Sequence, residues 1–192
     1  MAVTTPVIER KKVSWDEYLS LPLTRYEIID GEVIELPTPT LKHQRIVMRL
    51  SLKISDFVTK KKSGELFPAP FDFVIRRQPL RTRQPDLFYI SYERAGDMSA
   101  LMEQSRLEMA PDLVIEVLSP SDTYSAWREK LHDYHALGVP EVWAVDLEKQ
   151  EIEVLVREER SYGSLGWFSG DEPIQSRVLP ELQLIPKTLF EE

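Results

Sequence analysis

The chain has 192 residues, no cysteine and a formal net charge of −8. This length fits one domain with a buried core, and without cysteine neither a disulfide nor a thiolate metal site can form. No apolar run approaches the roughly 20 residues that span a bilayer, and residues 1–12 lack an apolar stretch of signal-peptide length. We therefore expect a cytoplasmic protein without membrane contact, folded as one domain over 1–192, with a loose N-terminal arm over 1–12.

The first third of the chain predicts two helices around a hairpin. Ser14 precedes acidic residues typical of a first helical turn, which predicts a short helix that ends before Pro22. Two short apolar runs within 26–36 turn at Asp30-Gly31, which predicts a β-hairpin. Apolar residues then recur at helical spacing over 41–62 and predict a long amphipathic helix that ends at Ser63-Gly64.

The remainder predicts a sheet with one further helix. Strand-like runs occupy 71–76, 86–91 and 113–118, and the polar segment 92–109 is expected to be irregular, partly helical and flap-like. A second helix is expected from a cap at Asp122 to about Leu137, followed by strands over 141–146 and 151–156 that pair with each other. This order predicts an α/β (α+β mixed) fold, in which a central mixed sheet is flanked by helices.

Glu116 interrupts a run that is otherwise apolar on both faces, Leu113-Val-Ile-Glu-Val-Leu118. In a central strand this carboxylate would be buried, which costs several kcal/mol by order of magnitude unless the group is paired or binds a cation. A buried salt bridge, or an edge strand that exposes Glu116, would account for the residue without a functional site.

Asp86 opens the preceding strand, which could lie beside the strand that carries Glu116. Two carboxylates on neighbouring strands form a hard-oxygen site suited to Mg²⁺ or Mn²⁺. Lys130 borders the inward stripe of the second helix, Trp127, Leu131, Tyr134 and Leu137. A snorkelling lysine accounts for that position equally well, but beside two carboxylates an ammonium could orient a metal-bound water for phosphodiester cleavage.

The ordered set of these segments resembles the Uma-type restriction endonuclease family of bacteria, a branch of the PD-(D/E)XK nuclease superfamily. The resemblance covers about 26–184. It is carried by Tyr26-Glu-Ile-Ile-Asp-Gly-Glu32, His43, Pro85-Asp86, Ala110-Pro-Asp-Leu-Val-Ile-Glu-Val-Leu-Ser-Pro120, Lys130, Tyr134 and Gly138-Val-Pro-Glu-Val-Trp-Ala-Val-Asp146.

The resemblance implies a restriction-endonuclease-like core and a Mg²⁺- or Mn²⁺-dependent endonuclease that acts on DNA as a homodimer. Asp86, Glu116 and the backbone carbonyl of Val117 would hold the metal, and Lys130 would act where the superfamily lysine is replaced by Leu118. Further candidates are Glu27, Glu32 and His43, although glutamates in hairpins and histidines at helix starts are common without any catalytic role. Phosphate contacts would come from the basic middle of the chain: Lys42, Arg45, Arg49, Arg76, Arg77, Arg81 and Arg83.

Two other functions stay open from the sequence. The family often carries an aspartate about four residues before the lysine, whereas this chain reads Ser125-Ala126-Trp127 there. That departure and the net charge of −8 are compatible with a catalytically inactive DNA-binding or protein-interaction module. A solvated helix face accounts for the basic middle as well as a polyanion-binding face does. A structural or oligomeric partner protein without a nucleic-acid role is the third possibility, in which Trp167-Phe168 could be an interface patch, although core packing explains that segment better.

Overall fold

The structure is a computed structural model that describes residues 12–21, 25–119 and 123–191. Helix α1 spans Trp15–Ser20, and the Ser14 hydroxyl accepts a hydrogen bond from the Glu17 amide while the Glu17 carboxylate accepts one from the Ser14 amide. The predicted N-terminal helix and its cap are confirmed. The arm expected over 1–12 lies outside the described residues except for Lys12.

The predicted hairpin consists of β1, Tyr26–Ile29, and β2, Glu32–Glu35, paired antiparallel. Its turn residues Asp30 and Gly31 have φ angles of 53° and 88°. This left-handed backbone is what a two-residue hairpin turn requires, and glycine and aspartate adopt it readily. The Asp30-Gly31 turn is therefore confirmed.

Helix α2 spans Leu41–Lys61, close to the predicted bounds. Its buried residues begin with His43 and continue at helical spacing through Ile46, Leu50, Ile54 and Val58. Lys62 ends the helix in the left-handed conformation, with a φ of 51°.

Two sheets follow in the chain. Their strands and the short helices between them are β3 (Gly64–Pro68), β4 (Asp72–Arg77), β5 (Leu80–Arg83), β6 (Leu87–Ser91), α3 (Tyr92–Ala95), α4 (Met98–Met102), β7 (Arg106–Leu107) and β8 (Leu113–Leu118). The chain ends with α5 (Tyr124–Leu137), β9 (Glu141–Asp146), β10 (Glu151–Arg157), β11 (Tyr162–Ser169) and α6 (Lys187–Phe190). The six-stranded sheet has the order β11-β10-β9-β8-β6-β3, and β5-β4-β7 form a smaller one.

Helices cover both faces of the six-stranded sheet, which confirms the predicted fold class. The buried face of α2 packs with Leu113, Ile115 and Trp143 in one core. The opposite face of the sheet contributes Val114 and Val142 to a second core with Tyr134 of α5. The alternation of side chains along β8 assigns its odd-numbered residues to the α2 face and its even-numbered ones to the α5 face.

The strand register brings the two predicted acidic residues together. Strands β6 and β8 are antiparallel, with Leu87 opposite Ile115, so Asp86 immediately precedes the paired region beside Glu116. Strands β8 and β9 are parallel and are connected through α5. Thr123 caps α5, whereas the predicted cap, Asp122, lies outside the described residues. No helix in the described part of the chain combines the length and apolarity needed to cross a membrane.

Candidate active site

Glu116 lies in the middle of β8 with 4% of its surface exposed. Its even-numbered position directs it toward α5, where Lys130 and Tyr134 stand one helical turn apart. The Lys130 ammonium donates to both carboxylate oxygens of Glu116, at 3.0 Å and 2.9 Å. The Tyr134 hydroxyl donates to Glu116 Oε1. The buried carboxylate is thus fully paired, as its burial requires.

Asp86 forms the second half of the cluster, together with the first turn of α2. Its Oδ2 accepts a 2.9 Å hydrogen bond from the Val117 amide and lies 3.2 Å from His43 Nε2. Three of the predicted residues, Asp86, Val117 and His43, therefore meet beside Glu116.

The charges of these groups influence one another. Burial raises the pKa of the Glu116 carboxyl to about 7; Lys130 opposes this shift, whereas the Asp86 carboxylate adds to it. Burial disfavours the Lys130 ammonium, but the carboxylates of Glu116 and Glu27 outweigh it and raise the pKa of the lysine above its usual value. The hydrogen bond to Asp86 raises the pKa of His43 and favours its protonated form. Lys130 and His43 thus flank the two carboxylates.

Glu27 connects this cluster to a buried ion network. It is 3% exposed; its Oε2 accepts from Arg83 Nη1 at 2.6 Å, and its Oε1 lies 3.7 Å from Lys130 Nζ. Asp133, 1% exposed, accepts from Arg83 Nε at 2.6 Å and from Arg81 Nε at 2.7 Å. Strand β5 is thereby tied to α5 one turn beyond Lys130.

This network corrects the predicted role of Arg81 and Arg83. Both were expected on a phosphate-binding surface, but each is only 4% exposed and is paired with carboxylates. Their guanidinium groups face the interior because Asp133 and Glu27 supply compensating charges there, while the exposed Glu129 pairs with Arg81 from the surface.

The other predicted basic residues lie on the surface but are mostly engaged within the chain. Arg76 pairs with Asp30, and Arg77 donates to Glu108 at 2.9 Å. Lys42 donates to the Leu147 carbonyl at 2.8 Å, and Arg49 donates to the carbonyls of the C-terminal segment. Arg45 is exposed on α2.

Glu32 lies at the turn end of the hairpin, opposite Ile29, and is partly exposed. It does not belong to the described lining of the cleft that contains Asp86 and Glu116. The structure thus separates Glu27, which reaches Lys130, from Glu32, which does not reach the cluster.

The cluster lines a cleft of about 310 Å³. The cleft opens at the carboxyl ends of the parallel strands β8 and β9, the edge where α/β folds commonly bind ligands. Its described lining includes the loop 36–40, Gln84, Ser119, Leu147 and Arg25. Arg25 was not predicted as a site residue, because a single arginine before a hairpin forms no distinctive sequence pattern. Tyr134 was assigned to the apolar stripe and to the family resemblance but to no role in the site, although its distance of four residues from Lys130 already placed both on one helix face.

The donor set is suitable for Mg²⁺ or Mn²⁺. Asp86, Glu116 and the Val117 carbonyl offer hard oxygen atoms, which both ions prefer. Among residues 12–21, 25–119 and 123–191, no group of three histidine or acidic side chains has metal-chelating geometry. Two carboxylates, one carbonyl and several waters remain a sufficient set, because Mg²⁺ is usually held by one or two carboxylates and retains water.

Comparison with solved structures supports the same architecture. A crystal structure from Anabaena variabilis, described as a "putative nuclease belonging to DUF820", superposes with a TM-score of 0.77. The match covers 93% of this chain and 97% of that one, at 23% sequence identity. At this identity the likeness establishes the fold. Among proteins with curated functions, none matches the sequence.

A match to a family model identifies the family of this chain. The model for Uma2, which carries the description "Putative restriction endonuclease", matches residues 15–187. This range contains both carboxylates, Lys130, His43 and the buried network. The chain therefore belongs to the Uma2 family of nuclease-like proteins.

Proposed function

We propose that this protein is a metal-dependent endonuclease that hydrolyses phosphodiester bonds in DNA. The observation that carries the proposal is the convergence of Asp86, Glu116 and Lys130 in the lining of one cleft. Membership of a nuclease family and a shared fold add support. A fold alone does not determine the reaction, so the proposal rests on the residues of the site.

Asp86, Glu116 and the Val117 carbonyl would hold Mg²⁺ or Mn²⁺. The bound ion would supply Lewis-acid activation of water and neutralise charge on the phosphoryl oxygens. Tyr134 and Lys130 hold the Glu116 carboxylate in one orientation through three hydrogen bonds. Fixed orientation matters because small displacements of catalytic groups reduce rates strongly.

Lys130 has a second task in this proposal. Its side chain is 22% exposed, in contrast to the nearly buried Glu116, and it lines the cleft. Its pKa is raised, so it carries a positive charge at neutral pH. It can therefore donate to an attacking water or to a phosphoryl oxygen and stabilise the charge that develops during in-line displacement.

A catalytically inactive relative is the alternative, and one observation favours it. Both oxygens of Glu116 are already engaged by Lys130 and Tyr134, so a metal has to share or replace these contacts. Position 126, where the family often has an aspartate, is an exposed alanine, and Asp122 lies outside the described residues. Homodimer formation stays a prediction of the family resemblance, and a cytoplasmic location stays a prediction of the sequence composition.

Metal binding tests the proposal without any substrate. We expect Mn²⁺ to bind the wild-type protein in isothermal titration calorimetry, and Asp86→Asn to weaken that binding at least about tenfold, because a carboxylate ligand is lost. Asp171→Asn is the control, since Asp171 is exposed and remote from the cleft. Equal affinities in the wild type and Asp86→Asn would remove Asp86 from the metal site.

A further inference from the structure

The depth of the carboxylate cluster restricts how a phosphate can reach it. Glu116 is 4% exposed, and the Asp86 side chain is 16% exposed. Both line the cleft together with the loop 36–40. A phosphate must therefore enter the cleft, and a strand that can bend on its own does this more easily than one held within a stiff double helix.

The distribution of cations also favours a single strand over a double helix as the substrate. Proteins that bind duplex DNA through its backbone typically neutralise about 6–10 phosphates with lysine and arginine. Here the arginines of β5 are buried, and those of β4 pair with Asp30 and Glu108. Lys42 and Arg49 are bound to backbone carbonyls. Of the seven basic residues predicted to contact phosphates, Arg45 alone has no hydrogen bond or ion pair within the described part of the chain, so this set does not form a free surface for an extended duplex.

Arg25 differs from these residues because it faces the cleft itself. It is exposed, and within the described part of the chain its guanidinium makes one long hydrogen bond, 3.4 Å to the Pro37 carbonyl, and no ion pair. The positive charge of Arg25 opposes protonation of the His43 imidazole. Arg25 is thus a cation close to the carboxylate cluster with donors available for an anion.

The wall next to Arg25 is partly apolar. The loop 36–40 contributes Leu36, Pro37 and Pro39 to the lining, together with the two threonines Thr38 and Thr40. An arginine beside a partly apolar wall suits a nucleotide, whose phosphate is anionic and whose sugar and base present apolar faces. The volume of about 310 Å³ lies at the lower end of the range for small-ligand pockets, about 300–1,000 Å³.

From these observations we infer that the substrate enters the cleft as an unpaired strand, with a backbone phosphate next to the scissile one bound by Arg25. The preferred substrate class is single-stranded or locally unpaired DNA rather than an intact duplex. This inference rests on the proposed nuclease function and adds a specificity-determining residue to it.

The test compares one end-labelled oligonucleotide, alone and annealed to its complement, in the presence of Mn²⁺. We expect the wild-type protein to cleave the single strand at least about tenfold faster, a difference of about 1.4 kcal/mol in activation free energy. Arg25→Ala should raise KM for the single strand with little change in kcat. It should also reduce the salt dependence of log KM by about 0.7–1, the contribution of one phosphate contact.

Arg160→Ala provides the matched control, because Arg160 is exposed at the β10–β11 turn and is not part of the cleft. Equal or faster cleavage of the duplex would overturn the single-strand inference and leave the proposed nuclease function intact. An Arg25→Ala variant with the KM and salt dependence of Arg160→Ala would overturn the role of Arg25. Cleavage of neither substrate would overturn the nuclease function, and this inference with it.

Discussion

Replacing Asp133 with asparagine is expected to lower the free energy of unfolding by about 3–5 kcal/mol. Asp133 is 1% exposed and accepts hydrogen bonds from both Arg81 and Arg83. Asparagine keeps the volume but removes the charge, so two buried guanidinium groups lose their shared partner. Urea denaturation followed by circular dichroism measures the change.

Asp56→Asn is the control for this experiment. Asp56 pairs with Lys60 on α2, but its side chain is 62% exposed, and such surface pairs contribute about 0–1 kcal/mol. A loss of less than about 1 kcal/mol for Asp133→Asn would show that the buried network does not stabilise the fold as argued. The same variant should reduce kcat, because Asp133 holds α5 one turn beyond Lys130.

Replacing Lys130 with methionine is expected to lower kcat by about 10²–10⁴-fold, the range for loss of one proton-transferring or charge-stabilising group. Methionine has a similar shape but cannot donate to Glu116, to water or to a phosphate. Lys149→Met, at a side chain that is 63% exposed on the β9–β10 turn, should leave kcat unchanged. Steady-state kinetics on one labelled substrate compares the two variants, and equal kcat values would remove Lys130 from the mechanism.

The Lys130→Met variant should also lose more stability at pH 8.5 than at pH 5.5. An unfolded glutamate ionises near 4.5, whereas burial already raises the pKa of Glu116 to about 7 in the presence of Lys130. Without Lys130 that pKa rises further, so the folded variant holds a proton that the unfolded chain releases. Stability therefore falls as pH rises between the unfolded and folded pKa values. Urea midpoints of variant and wild type at both pH values measure this, and a difference independent of pH would contradict it.

The sequence predicted the cluster of Asp86, Glu116 and Lys130 because Glu116 violates a burial pattern. The run 113–118 is apolar on both faces, so Glu116 was identifiable as a buried carboxylate, and the two-residue period placed it on the face of Val114, which α5 covers. Lys130 borders the inward stripe of α5 by helical spacing alone. The prediction that Asp86 lies near Glu116 needed one extra assumption, namely that the strand after Asp86 lies beside β8. The observed register confirms this assumption.

The buried arginines could not be predicted in the same way. Arg81 and Arg83 belong to a short strand that follows two exposed arginines, and sequence alone indicates a basic surface. Their partners, Glu27 and Asp133, lie 56 and 50 residues away from Arg83. Only tertiary packing brings these charges together, so a local pattern carries no signal of the network. The short strands β3 and β5 were missed for a related reason, because few residues establish their periodicity.

The most direct measurement of the central claim is metal-dependent cleavage of plasmid and single-stranded DNA by the wild type and by Glu116→Gln. We predict cleavage by the wild type with Mg²⁺ or Mn²⁺, its loss on chelation, and its loss in Glu116→Gln with the fold retained by circular dichroism. Glutamine keeps the size of the side chain and removes the charge that would hold the metal. Equal cleavage by both proteins, or no cleavage by a folded wild type, would contradict the assignment of this cluster as a nuclease active site.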